Sequence, residues 1–199
     1  DIQVYRPFLV RAGQQEGLSF PNPDMVSKVD FSAGGFQAKY GDKMSSVLDI
    51  QYARPDTFSG NAQIGLLGGQ IQLMNISKNK KWTYNSGFRY RDYSYILNSM
   101  DVQGDYQPKF MDWQNYITWR PMGNYGPLEF SWLTNISSNH YQFTPTTRQT
   151  DAGNINEAIR LTVYFEGQEK TQFNTYFSAF STRYSFSESS QVRFTLSTF

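Results

Sequence analysis

Trp82-Thr83-Tyr84-Asn85-Ser86-Gly87-Phe88-Arg89-Tyr90-Arg91-Asp92-Tyr93 is the stretch whose pattern settles the fold class. Successive side chains of an extended chain point to opposite sides. Trp82, Tyr84, Ser86, Phe88 and Tyr90 therefore share one face, and Thr83, Asn85, Gly87, Arg89 and Arg91 share the other. No acidic residue interrupts the run before Asp92, and the first face is rich in aromatic rings. The same two-residue period recurs downstream. Met111, Trp113, Ile117 and Trp119 alternate with Asp112, Gln114, Tyr116 and Thr118. Leu128, Phe130, Trp132 and Ile136 alternate with Glu129, Ser131 and Asn135. Tyr176, Phe180, Tyr184 and Phe186 alternate with Thr175, Ser181 and Arg183, and Val192, Phe194 and Leu196 with Arg193, Thr195 and Ser197. Two earlier strands, at residues 62–67 and 70–76, flank Gly68-Gly69, a turn signal.

The connections alternate in length. Short turns are predicted at residues 77–81, 122–126 and 187–190. Longer ones lie between, at 98–107 and 142–172, the second containing a strand-like run over 159–165 that predicts a hairpin. Short turns at one end and long loops at the other, joining strands of roughly 9–12 residues, match an outer-membrane barrel, whose tilted strands need roughly 9–11 residues to cross. Trp82, Tyr93, Trp119 and Tyr184 at strand ends fit the aromatic girdles of such a barrel. A soluble β-sandwich also alternates, but its strands are typically about 5–6 residues. The length favours the barrel. Facing follows: Arg on the lipid side costs about 2–4 kcal/mol at midplane, so Arg89 and Arg91 are expected on the lumen side. Trp113 and Trp119 are expected on the lipid side. On this pattern Arg89→Leu is tolerated for membrane insertion and Phe88→Arg is not.

Composition agrees with that class. Aromatic residues make up 17% of the 199, with 16 Phe and 14 Tyr, and charged residues only 18%. The 18 basic and 17 acidic residues, net +1, form no basic stripe, so nucleic acid is not an expected partner. There is no cysteine, which removes disulfide scaffolds and thiolate zinc sites, and the single His140 leaves no paired-histidine metal site. A mean hydropathy of −0.58 would suggest a soluble chain, except that alternating strands average out as polar. No catalytic set stands out, neither a nucleophile elbow nor a phosphate-binding loop. The expectation is a protein that is not an enzyme and needs no cofactor.

The chain changes character near Arg54-Pro55-Asp56. Before it, Asn22-Pro23-Asp24-Met25-Val26 reads as a helix start, with Asn22 as cap and Pro23 at the first helical position. Val29 and Phe31 alternate with Lys28 and Asp30; Gly34-Gly35 and Tyr40-Gly41-Asp42 mark turns; Val47-Leu48-Asp49-Ile50-Gln51-Tyr52 is a second strand. Asp1-Ile2-Gln3-Val4-Tyr5 reads as a strand already in progress. This α+β region is thin for a core of its own.

These residues resemble the end of the plug domain of TonB-dependent outer-membrane receptors, where a short helix leads to a strand, a Gly turn, a Tyr-Gly pair and a last strand entering the barrel. Tyr5-Arg6-Pro7-Phe8 and Lys39-Tyr40-Gly41-Asp42-Lys43-Met44-Ser45-Ser46 are similar to the Bacteroidota type. Gly34-Gly35 stands where many members have Gly-Pro, and Ser45 or Ser46 where they have Gly. The resemblance implies a mainly β protein: residues 1–54 as the C-terminal part of an α+β plug, and residues 55–199 as about seven antiparallel strands of a large transmembrane β-barrel. The family's barrel has about 22 strands, and an open edge in lipid is costly, so a longer chain is expected around this one.

The resemblance also implies function: a receptor in the outer membrane of a Gram-negative bacterium that binds ligand at its extracellular face and imports it. Its implied partners are the TonB complex of the inner membrane and outer-membrane lipid, with a surface lipoprotein or other outer-membrane subunits as candidates. A receptor-like scaffold subunit and a secreted carbohydrate-binding β-domain are the alternatives. The polar, Gly-bounded segment over residues 6–20 is placed at the extracellular mouth, so Arg6, Phe8, Arg11, Gln14, Gln15 and Glu16 either contact ligand or pack the plug against the wall. Arg89 and Arg91 either salt-bridge plug to wall or touch substrate. Val29, Phe31, Val47 and Ile50 are expected in the plug core.

Overall fold

The computed structural model describes residues 2–4, 19–41, 44–99, 104–123, 126–154, 157–164 and 167–199. The protein is mainly β and its sheets are antiparallel. A 3-10 turn, Pro23–Met25, leads into β1 (Val26–Ala33), which pairs with β2 (Ser46–Tyr52) as a separate two-stranded ribbon. Asn22 caps the turn as expected, its Oδ1 accepting from the Asp24 N–H at 3.1 Å. The predicted helix stops after that turn because Val26 is already extended and enters the ladder with Tyr52.

The large sheet holds β3 (Ser59–Gly65), β4 (Gly68–Ile76), β5 (Trp82–Asp92), β6 (Gly104–Tyr106), β7 (Lys109–Trp119), β8 (Leu128–Pro145), β11 (Glu169–Ser185) and β12 (Gln191–Thr198). Its order is β12-β11-β8-β7-β5-β4-β3, with the three-residue β6 extending the β8 ladder beyond β7. It is open: β3 and β12 are each paired on one side only. A second two-stranded sheet, β9 (Arg148–Asn154) with β10 (Glu157–Val163), forms the hairpin between β8 and β11. The helix α1 (Ser94–Ser99) follows β5, its first N–H groups steered by the Asp92 carboxylate, which accepts from Ser94 N–H at 3.0 Å.

Several expectations shift. The long connection over 142–172 is largely structured: β8 and β11 run 18 and 17 residues and pair from Glu169↔Phe143 onward, leaving only the β9–β10 hairpin between them. The turn read at Gly68-Gly69 falls instead at Leu66-Leu67, and both glycines open β4. Gly68 is needed there for another reason. It has φ +123, and a Cβ would meet the Tyr90 backbone of β5 at 2.2 Å. Residues 2–4 are not strand; Ile2 and Val4 pack instead against the hydrophobic cluster of Phe20, Phe110, Leu133, Phe177 and Ala179. The ribbon residues expected as plug core are not buried here. Val29 is 53% exposed and Phe31 66%, and Val47 and Ile50 only half-buried.

The large sheet has two unlike faces. On one, Ile71, Phe88, Trp113, Ile136 and Tyr176 stand in a single register row, and Trp82, Trp119 and Phe130 in another, at the short-turn end. Trp113 and Trp132 are 49% and 47% exposed, while Trp119 and Phe130 shield one another by stacking, rings 5.2 Å apart. Between the apolar rows runs a polar one, Ser86, Asn115, Thr134 and Ser178, bonded sideways: Ser86 donates to Asn115 at 2.7 Å, and Asn115 to Thr134 at 3.4 Å. Both flanking indoles use it, Trp113 Nε1 donating to Ser86 at 3.0 Å and Trp132 Nε1 to Ser178 at 2.9 Å.

Candidate functional site: the polar face and the segment it holds

The opposite face carries nearly all of the buried polar side chains, and residues 19–25 and 52–54 lie across it. Contact begins where a side chain is missing. At Gly87 a Cβ would come 2.5 Å from Asn22 Nδ2 and 2.8 Å from Met25 Sδ, so any larger residue would push both side chains off β5. Met25 is fully buried there, and Phe20 is buried beside Phe110, Leu133 and Phe177, meeting Phe177 edge-on with centroids 4.9 Å apart.

Around that contact the strands supply amides spaced for main-chain groups. Gln114 Nε2 donates to the Phe20 carbonyl at 2.9 Å, while its Oε1 accepts from Asn22 N–H and Tyr52 Oη, both at 3.1 Å. Asn85 Nδ2 donates to the carbonyls of Met25 and Ala53 at 3.1 Å, and Gln72 Nε2 orients it by donating to its Oδ1 at 2.8 Å. Burial pushes the Tyr52 phenol well above its ordinary pKa, so it stays a neutral donor.

Arg89 lies at the centre, 2% exposed, paired with Asp112, 0% exposed, in the directly facing register position. Its Nε and Nη2 meet both carboxylate oxygens at 2.7 and 2.8 Å, a bidentate fork. The remaining guanidinium donors reach the carbonyls of Pro21 and Ser19 at 3.3 and 3.2 Å, and Asn135 Nδ2 donates to Asp112 Oδ2 at 3.1 Å. Arg91 shares that face but donates to Gln70 Oε1 at 2.6 Å, and Gln70 in turn donates to Asp24 at 2.7 Å. Of the two roles expected for Arg89, the geometry adds a third: the ion pair is strand to strand, and the link to the segment runs through main-chain carbonyls.

A second charged centre sits toward the short-turn end. The Glu129 carboxylate accepts from three guanidinium groups: Arg54 at 2.9 and 3.1 Å, Arg120 at 2.7 Å and Arg183 at 3.0 Å. Arg54 comes from the segment just after β2, so this cluster ties that segment to β8. Burial works against the Arg54 cation, but Tyr116 and Glu129 outweigh it and hold its pKa above the ordinary value.

Arg6, Phe8, Arg11, Gln14, Gln15 and Glu16 lie outside the described residues; Ser19 and Phe20, just after them, are fastened to the polar face. Alternation alone put Asp112, Gln114, Glu129 and Asn135 on this face without singling them out. The usable signal was pairing: once β5 and β7 are aligned, the one buried acid of β7 stands opposite Arg89. Asn135 Oδ1 and both polar atoms of Asn139 are buried without a hydrogen-bond partner. Among the described residues there is no cluster of metal-ligating groups. The arrangement grips peptide backbone at residues 19–25 and 53.

What the fold and this face define is an antiparallel sheet whose polar side is closed over by its own chain and whose apolar side is open. No family model matches the chain, and no curated protein or solved structure is significantly similar to it.

Proposed function

We propose that this protein is a TonB-dependent outer-membrane receptor, in which the large sheet is a section of barrel wall and residues 19–54 belong to the plug. Ligand binds on the extracellular side and enters when the TonB complex pulls on the plug. The observation that carries the reading is the inversion of the sheet: Arg89, Asp112, Gln114 and Asn135 are buried while Trp113, Trp132, Phe88 and Tyr176 are exposed. Water around the whole molecule would favour the reverse; hydrocarbon against the aromatic side accounts for it. A secreted carbohydrate-binding domain needs only a few exposed rings beside polar groups, whereas here apolar side chains span the sheet from β4 to β12. On this reading Arg89 and Arg91 face the lumen and fasten the plug edge to the wall, and the short-turn end is periplasmic.

The test has two stages. The full-length protein should fractionate with outer membranes and migrate faster on gels unheated than boiled. Alanine at Arg6, Arg11, Gln14 and Gln15 should then weaken uptake while leaving that migration intact. A protein that is soluble and monodisperse without detergent would overturn the wall reading. Normal uptake by the alanine variants would leave these four residues as packing.

A further inference from the structure

We propose that the corner of the sheet between β4 and β5 is a binding site for an anionic phospholipid, the 77–81 turn taking the headgroup phosphate and the groove beside it an acyl chain. This rests on the reading of the aromatic face as bilayer-facing.

The turn, Ser77-Lys78-Asn79-Lys80-Lys81, carries three cations and no acid. Its shape is held internally. Lys80 N–H donates to the Ser77 carbonyl at 2.8 Å, Ser77 Oγ donates to Asn79 Oδ1 at 2.6 Å, and Trp82 N–H returns to Ser77 Oγ at 3.0 Å. Lys80 sits at φ 55 and is the one described non-glycine residue with positive φ. Glycine or asparagine occupies that conformation at less cost, so a lysine there keeps a charge against a backbone preference. Lys78 and Lys80 are exposed. The one carboxylate of the neighbouring β8 end, Glu129, points to the other face and is already bound by three arginines, so it does not quench them.

The residue that closes the turn, Trp82, also begins the groove. It stacks on Trp119 with rings 5.2 Å apart and 14° from parallel, as an interfacial row would. Beyond it lies an apolar groove of about 540 Å³ lined by Leu73, Trp82, Tyr84 and Ile117 and ending at the Ser86–Asn115 pair. Those two polar side chains are bonded to each other, so the groove offers little to a polar ligand along its length. Cations at the boundary and an apolar trough beside them match a phospholipid laid along the wall. Neutral lipid lacks the charge, and free phosphate has no use for the trough.

The full-length protein in non-ionic detergent can be examined by native mass spectrometry with added phosphatidylglycerol, phosphatidylcholine of the same chains, or glycerol phosphate. Phosphatidylglycerol should be retained about ten-fold better than phosphatidylcholine. Lys78→Gln, Lys80→Asn and Lys81→Gln together should erase that preference, the asparagine preserving the turn. Glycerol phosphate should not displace the lipid. Equal retention of the two lipids, an unchanged preference in the triple variant, or displacement by glycerol phosphate would each overturn the site while leaving the barrel reading standing. A protein folded in water without detergent would overturn the bilayer reading itself, and the site with it.

Discussion

The two faces of β5, β7 and β8 are built from alternate residues of the same strands, yet they follow opposite rules. On one, Arg89, Asp112, Gln114 and Asn135 are buried and spend their hydrogen bonds on each other and on the backbone of residues 19–25. On the other, Phe88, Trp113 and Trp132 are half-exposed, and a polar row in the middle, Ser86, Asn115 and Thr134, is bonded sideways. The difference teaches that polarity by itself does not tell inside from outside. What matters is which groups have partners: Arg89, Asp112, Gln114 and Asn85 bond one another or peptide backbone, while the middle of the exposed face bonds its few polar groups sideways.

The contrast can be broken most forcefully at its most buried point. Arg89→Leu removes the only full partner of Asp112 and should cost about 3–5 kcal/mol, seen as a lower urea midpoint of the detergent-folded protein. A loss below about 1 kcal/mol would mean that water reaches the polar face. The expectation from alternation, that Arg89→Leu is tolerated for insertion, concerns only which side the residue faces and says nothing about the carboxylate left behind. Phe88→Arg, one residue away, should cost about 2–4 kcal/mol in a bilayer and little in water. Equal stability of variant and parent in vesicles would remove lipid from that face.

Smaller changes sharpen the picture. Gly87→Val drives two methyl groups into the space of Met25 and Asn22, and overpacking of that kind costs about 1–3 kcal/mol. The expected readout is faster proteolysis within residues 19–25 while the sheet persists; an unchanged cleavage rate would show that the turn does not need that glycine. Smallest of all, Ser178→Ala strips the Trp132 indole of its acceptor, worth about 0.5–1.5 kcal/mol. In a bilayer the indole has no substitute, whereas in water it recovers one, so the loss should appear only in the lipid-reconstituted protein.

The ribbon of β1 and β2 stands apart from both faces. Val29 lies opposite Ile50 and Phe31 opposite Leu48, giving one apolar side on which Val29, Phe31 and Leu48 are exposed and Ile50 is half-buried. Its amphipathic pattern is as clear as that of β5, and it was accordingly expected to be core. A pattern of that kind defines which side chains share a side and is silent on what lies against it.

Local residue order was enough to specify the central parts of β5, β7, β8, β11 and β12, their two faces and the cap at Asn22, since these follow from the two-residue period and from cap chemistry acting over a few residues; it misplaced the turn at Gly68-Gly69 and read residues 2–4 as strand. Asp112 opposite Arg89, Glu129 under three arginines, and Gln114 reaching across to Phe20 and Asn22 were decided only by the tertiary structure. Each joins positions separated by 9 to 94 residues, and strand register, which no local pattern encodes, sets which of them meet. The ends of β8 and β11 were decided the same way: polar residues past His140 look like loop in isolation and become strand because each has a paired neighbour to complete its backbone hydrogen bonds.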